Sequence, residues 1–257
     1  MKYCFGTVCW GGYLERYIDM FVNNYIIIFR RLMSLGINYE DVVEPRVVYV
    51  ARDDKPGPVT ENAIKKLEKI TGKKLILICD KHKYTEYNVM YSTRNRLRLE
   101  IKKAYPKDKK VYFYFPIDDS VRPDVVTELY KLGHEKEPMA CLFKFFVTEG
   151  AIKYSAGTRP ICSYKDIHPG DWGGYCAYNI LDEDECPLYP KIAIPNVAFY
   201  AELYRAGYKQ YQSKVACIDH LRHSDSHHFK TKDTKMTETV RNYLMKMRED
   251  LAKKGYK

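Results

Sequence analysis

A chain of 257 residues, 46% of them hydrophobic and with no low-complexity tract, is long enough and apolar enough to bury a substantial core, which excludes a disordered or fibrous protein. Its eight cysteines stand singly, without a Cys-x-x-Cys pair; this argues against a zinc ribbon or redox motif and for a reducing, cytoplasmic setting. The formal net charge of +10 points to anionic partners (nucleotide phosphates, nucleic acid or an acidic membrane surface) without choosing among them.

In chain order, residues 2–9 read as an opening strand, followed by a tight loop at Trp10, Gly11 and Gly12. Residues 13–35 carry a helical apolar pattern closed by Gly36. The most apolar stretch of the chain, 20–29, lies inside it. That stretch is short and flanked by Asp19, Arg30 and Arg31, so it reads as a buried helix and not a membrane span. No basic segment leading into a long apolar run marks a signal peptide. A second buried strand over 46–51 runs into Arg52, Asp53 and Asp54. Thr60 is the expected cap of a helix over 61–70 that stops at Gly72. A third strand over 75–79 ends on Asp80, and 91–104 is helical. After Lys110, residues 111–115 are aromatic or β-branched and run into Pro116, the pattern of a strand buried on both faces of a parallel sheet. A helix then opens at Pro123, with Val125, Val126, Leu129, Tyr130 and Leu132 on its pattern. Strand and helix alternating through short connections predict parallel βαβ units and a doubly wound α/β sheet.

The second half is less regular. Residues 139–146 read as a strand and 148–171 as a loop-rich segment. Asp171, Trp172, Gly173 and Gly174, and the acidic run Asp182, Glu183, Asp184 and Glu185, lie in or beside loops. A helix over 196–206 closes at Gly207, and 208–218 is the last expected strand. The tail over 236–254 sets Val240, Leu244, Met247 and Leu251 on one face, expected to dock on the domain or to make a dimer contact.

Asp118 and Asp119 fall at the carboxyl end of the central strand, where open α/β sheets place their ligands. Taken alone, the pair reads either as solvated turn residues or as a site for a hard divalent cation, because two adjacent carboxylates repel unless a cation lies between them. The acidic run over 182–185 likewise reads as a solvated loop or as a source of a catalytic carboxylate. The histidines after residue 219 have three readings: an active-site contact through His220, a zinc site using Cys217, His220, His223 and His227, or a polar loop.

In this order and spacing the chain resembles a GT-A-type glycosyltransferase of the family 2 pattern, over about residues 1–230. Four segments carry the resemblance. The opening strand runs into Cys9-Trp10-Gly11, and the second strand ends in Asp53-Asp54. Ser92-Thr93-Arg94-Asn95 opens a helix two elements before the metal motif. The stretch Arg205-Ala206-Gly207-Tyr208-Lys209, followed by a strand and His220, matches the family's ending.

The resemblance implies a GT-A α/β domain over 1–232, with a nucleotide-binding half at 1–124, an acceptor half at 125–232 and a C-terminal amphipathic helix over 233–257. It implies a nucleoside-diphosphate sugar as donor, with UDP-sugar favoured through Asp53 or Asp54. The acceptor hydroxyl would belong to a glycan, a protein or a nucleic acid, and the cofactor would be Mn²⁺ or Mg²⁺. Nucleotide contacts would come from Thr7, Trp10, Asp53, Asp54, Arg94 and Asp118, metal ligation from Asp119 and His220, and acceptor stacking from Trp172 and Gly173. The family motif is Asp-x-Asp, whereas Ile117 stands at its first aspartate, so metal binding rests on Asp119. Pro195-Asn196 stand where the family has its Glu-Asp catalytic pair. An inverting base is therefore expected from Asp182, Asp184 or Glu185, with Asp171 as a further candidate. A nucleotidyltransferase is the competing enzyme class, although Cys9-Trp10-Gly11-Gly12 lacks the basic Gly-rich loop such enzymes carry. A non-catalytic nucleic-acid binder is the third reading, disfavoured because the basic residues are not gathered in a stripe.

Overall fold

The computed structural model describes residues 1–50, 56–81, 89–149, 152–168, 175–192, 195–222 and 234–256. Among them, nine strands form one mixed sheet in the order β3-β2-β1-β4-β8-β6-β9-β5, with β7 paired to β6. Strands β1 (Lys2–Trp10), β2 (Arg46–Val50), β3 (Ile76–Asp80) and β4 (Lys110–Tyr114) are mutually parallel. They alternate with helices α1 (Gly11–Ser34), α2 (Pro58–Thr71) and α3 (Val89–Ala104), which is the expected doubly wound half. Helix α4 (Val125–His134) follows β5 (Ser120–Val121).

Side chains alternate across β1, β2 and β4 and both faces of these strands are covered, which is why they read as apolar runs; β3 is a half-buried edge strand with Cys79 exposed. Tyr3, Phe5, Val111 and Phe113 join a core with α1 and α4. Cys4, Val48 and Tyr112 join a second core with α3 (Leu97, Ile101) and with α5 (Pro195–Arg205). At Gly6 the helix comes so close that an added Cβ would stand 2.6 Å from a methyl of Leu97, so any larger residue would force Leu97 to move.

Two local expectations change. The loop expected at Trp10, Gly11 and Gly12 does not form, because β1 passes directly into α1. Thr60 is not the cap of α2: the helix starts at Pro58 with Gly57 as N-cap, and Glu15 of α1 does the capping. The Glu15 carboxylate accepts the amides of Gly57 (2.7 Å), Thr60 (3.0 Å) and Val59 (3.2 Å) as well as the Thr60 hydroxyl.

The irregular half is more ordered than its pattern. Strand β6 (Met139–Glu149) pairs with β7 (Ile152–Gly157), which lies inside the expected loop, and with β8 (Tyr175–Ile180). Strand β8 runs antiparallel to β4, and β9 (Lys209–Arg222) runs parallel to β6, carrying the last strand four residues past its expected end. Helix α6 (Thr234–Lys253) buries Val240, Leu244, Met247 and Leu251 in the second core, so the tail docks as its spacing predicts. No helix among the described residues is long and apolar enough to cross a membrane.

Candidate functional site

Beyond Tyr114 the chain leaves β4 and crosses to the far edge of the sheet, where Ser120 and Val121 pair antiparallel with Asp219 and Ile218 of β9. This crossing brings Asp119 against His220, 101 residues away: Nδ1 of the imidazole lies 2.8 Å from Oδ1 of the carboxylate. Asp119 is fully buried, and its Oδ2 has no hydrogen-bond partner. A buried carboxylate oxygen left unpaired is costly in a folded protein and marks a position where a cation or proton belongs.

The backbone around it is clamped from α1. The side-chain amide of Asn24 donates to the Asp119 carbonyl at 2.6 Å and accepts the Val121 amide at 3.0 Å, both bonds buried. Asn24 was not singled out in the sequence, although a polar side chain inside the most apolar stretch signals a buried partner. Tyr175, the first residue of β8, was also missed. Its hydroxyl lies 3.1 Å from His220 Nδ1, and Phe145 stands edge-on to both rings. Burial, then the charge of Asp119 and a hydrogen bond to that carboxylate, then the charge of Asp118, push the Tyr175 phenol well above its ordinary value, so it remains neutral.

Asp118 is half-buried, and its charge reaches Cys9, Tyr114 and Tyr175. Burial first, and Asp118 second, raise the Cys9 thiol, which excludes a reactive thiolate there. Arg94 on α3 is buried, its guanidinium 4.4 Å from the Tyr114 ring centroid and 5.4 Å from that of Tyr189. Burial alone would lower its pKa, but Tyr114, Tyr189 and Tyr200 hold it above the ordinary value, so Arg94 stays charged beneath the end of β4. Thr7, buried on β1, carries a hydroxyl with no hydrogen-bond partner. Trp10 is the last residue of β1, paired in register with Val50 of β2. Asp53, Asp54, Trp172 and Gly173 lie outside the described residues.

The acidic run does not join this group. Lys110 at the amino end of β4 pairs with Ile180 at the carboxyl end of β8, so antiparallel β8 delivers Asp182, Asp184 and Glu185 to the opposite end of β4 from Asp119. Five residues of strand, roughly 16 Å, separate the two ends. Glu183 is tied there by Lys110 at 2.8 Å, and Asp184 by Lys102 at 2.8 Å. The Lys102 hydrogen bond, then its charge, hold the exposed Asp184 carboxyl below its usual range. Glu183 and Asp184 are thus ion-pair partners of β4 and α3, at the end of β4 away from Asp119.

Among the described residues no three His, Cys, Asp or Glu side chains form a ready-made metal cage. The donors that are present fit a hard cation bound through one carboxylate, since such ions take their remaining ligands from substrate phosphates and water.

No family model matches the chain, and no curated protein matches it. Among solved structures it is similar to residues 1–349 of TarS from S. aureus, a GT-A family glycosyltransferase, with 14% identity and a TM-score of 0.55. The match covers 86% of this chain and 60% of that one. The chain thus has a GT-A-type α/β fold, a sheet flanked by helices and closed by a C-terminal helix.

Proposed function

We propose that the chain is a metal-dependent glycosyltransferase that moves a sugar from a nucleoside-diphosphate sugar, UDP-sugar in the first instance, to an acceptor hydroxyl. The observation that carries this reading is the buried Asp119 carboxylate beyond the carboxyl end of β4, with Oδ1 engaged by His220 and Oδ2 unpartnered. The GT-A-type fold supports it, because that fold binds nucleotides at this end of the sheet.

Asp119 Oδ2 is the atom assigned to a Mn²⁺ or Mg²⁺ ion, which when bound neutralises the charge of the leaving diphosphate. His220 acts through Asp119: with Nδ1 turned to Oδ1, it orients the carboxylate as partners in the outer shell of metal sites do. Tyr175 flanks the same pair from β8, and Asn24 holds the backbone. Asp118 is left for the ribose or a bound water, and Arg94 steadies Tyr114 beneath them. Thr7, Trp10, Asp53 and Asp54 remain assigned to the nucleotide, and Trp172 and Gly173 to the acceptor, which is a glycan, a protein or a nucleic acid. With the acidic run at the other end, Asp171 is the remaining candidate base for inversion; a retaining reaction needs none.

The test is a thermal-shift panel of UDP-, GDP-, TDP- and CMP-sugars, each with and without Mn²⁺. One nucleotide should stabilise the protein selectively and only with metal. A flat response across the panel would sink the proposal.

A further inference from the structure

The layer between α3 and strands β4 and β8 holds charge that the candidate site does not use. Arg98 and Lys110, 2% and 0% exposed, share one carboxylate. Lys110 Nζ lies 2.8 Å from Glu183 Oε1, and Arg98 Nη2 lies 3.3 Å from Glu183 Oε2. Two formal cations therefore face one anion in a largely buried place, where an uncompensated charge is strongly destabilising.

The hydrogen-bond inventory is unbalanced in the same sense. The Arg98 Nε–H and the hydroxyls of Tyr112 and Tyr178 are buried without a hydrogen-bond partner, against a single such acceptor, Glu183 Oε2. Tyr112 and Tyr178 are register partners on adjacent strands, their ring centroids 5.3 Å apart. The Arg98 guanidinium carbon lies 5.6 Å and 5.9 Å from the two ring centroids, so the guanidinium lies beside both rings. A surface pocket reaches this group at Arg98 and Glu183, with Lys102, Cys186 and Leu188 on its walls. Water would satisfy the donors but leave the charge. A small anion answers both.

We propose that this layer binds one monovalent inorganic anion of the halide class, held by Arg98 Nε–H and the hydroxyls of Tyr112 and Tyr178. The site stands independently of glycosyl transfer, since its residues lie toward the other end of β4 from Asp119. Bromide is the probe. Crystals containing sodium bromide, read by anomalous diffraction, should show a bromine peak within hydrogen-bond reach of Arg98 Nε. In solution, bromide should raise the melting temperature saturably relative to glutamate at equal ionic strength. Tyr112→Phe combined with Tyr178→Phe keeps both rings and should weaken apparent bromide affinity roughly tenfold or more. Glu183→Gln, which removes the buried negative charge, should tighten it. If the double variant does not fold, Tyr178→Phe alone takes its place. A water or nothing at that position, a peak only in the outer pocket beside Lys102, or equal melting in bromide and glutamate would each overturn the site.

Discussion

Asp119 bears the heaviest chemical demand of any single residue in this reading. Asp119→Asn keeps the shape but removes the charge, so it should nearly abolish transfer and remove the Mn²⁺ dependence of nucleotide stabilisation while the fold survives. Asp118→Asn should cost less, because its carboxylate is not the one left unpaired. His220→Ala should cost least, roughly 10- to 100-fold, as when a group supporting a metal ligand is lost. Transfer rates and melting curves of the three variants, taken with and without Mn²⁺, check this ranking. Normal metal-dependent activity in Asp119→Asn would reduce the pair to a turn. Asn24→Leu separates position from charge. It strands the Asp119 carbonyl and the Val121 amide, both buried, and should destabilise the protein by about 3 kcal/mol in urea denaturation.

Among the elements, the contact between α1 and α2 makes a pH-dependent prediction. Burial would raise the Glu15 carboxyl, but the Thr60 hydroxyl and the amides of Gly57, Thr60 and Val59 together hold it below its ordinary value. A carboxyl whose folded pKa is depressed contributes stability that is present above the unfolded pKa and lost as pH falls through the folded one. Glu15→Gln should therefore cost about 1 kcal/mol near neutrality, the usual worth of a helix cap, and progressively less in acid. Paired urea titrations from pH 7 down to pH 3 measure the difference; a constant gap would assign the effect to shape alone. The capping role was not legible because Glu15 acts on a helix more than 40 residues away, and no local pattern joins the two. Strands β7 and β8 escaped for other reasons. β7 is an outer strand, with Ile152 66% exposed and a polar face, so it lacks the apolar run of a core strand. β8 is short and follows a Gly-rich stretch, yet Cys176, Ala177, Tyr178 and Ile180 are buried because helices and strands enclose it.

Across the whole molecule, α6 closes the second core with four buried side chains. Deleting residues from 234 onward exposes them and the surface beneath. At roughly 1.5–3 kcal/mol for each large apolar side chain fully buried, the loss should reach several kcal/mol and appear as a lower melting temperature before catalysis suffers. Unchanged melting after truncation would count against docking.

What the sequence determined by itself is what neighbouring residues dictate to one another. Four apolar runs alternating with helical patterns require a parallel, doubly wound half, because a strand buried on both faces and a helix returning over it have few other solutions. A pair of carboxylates after the fourth run and a histidine near the chain's end named the chemistry available. Only the tertiary structure decided which groups meet. Strand direction and register come from pairing between distant segments, and one antiparallel strand, β8, was enough to carry Asp182, Asp184 and Glu185 to the end of β4 away from Asp119. The crossing from β4 to the two-residue strand β5 was enough to bring Asp119 onto His220. Side-chain chemistry is written residue by residue; proximity is a property of the whole folded chain, and it is proximity that turns a buried aspartate into a site.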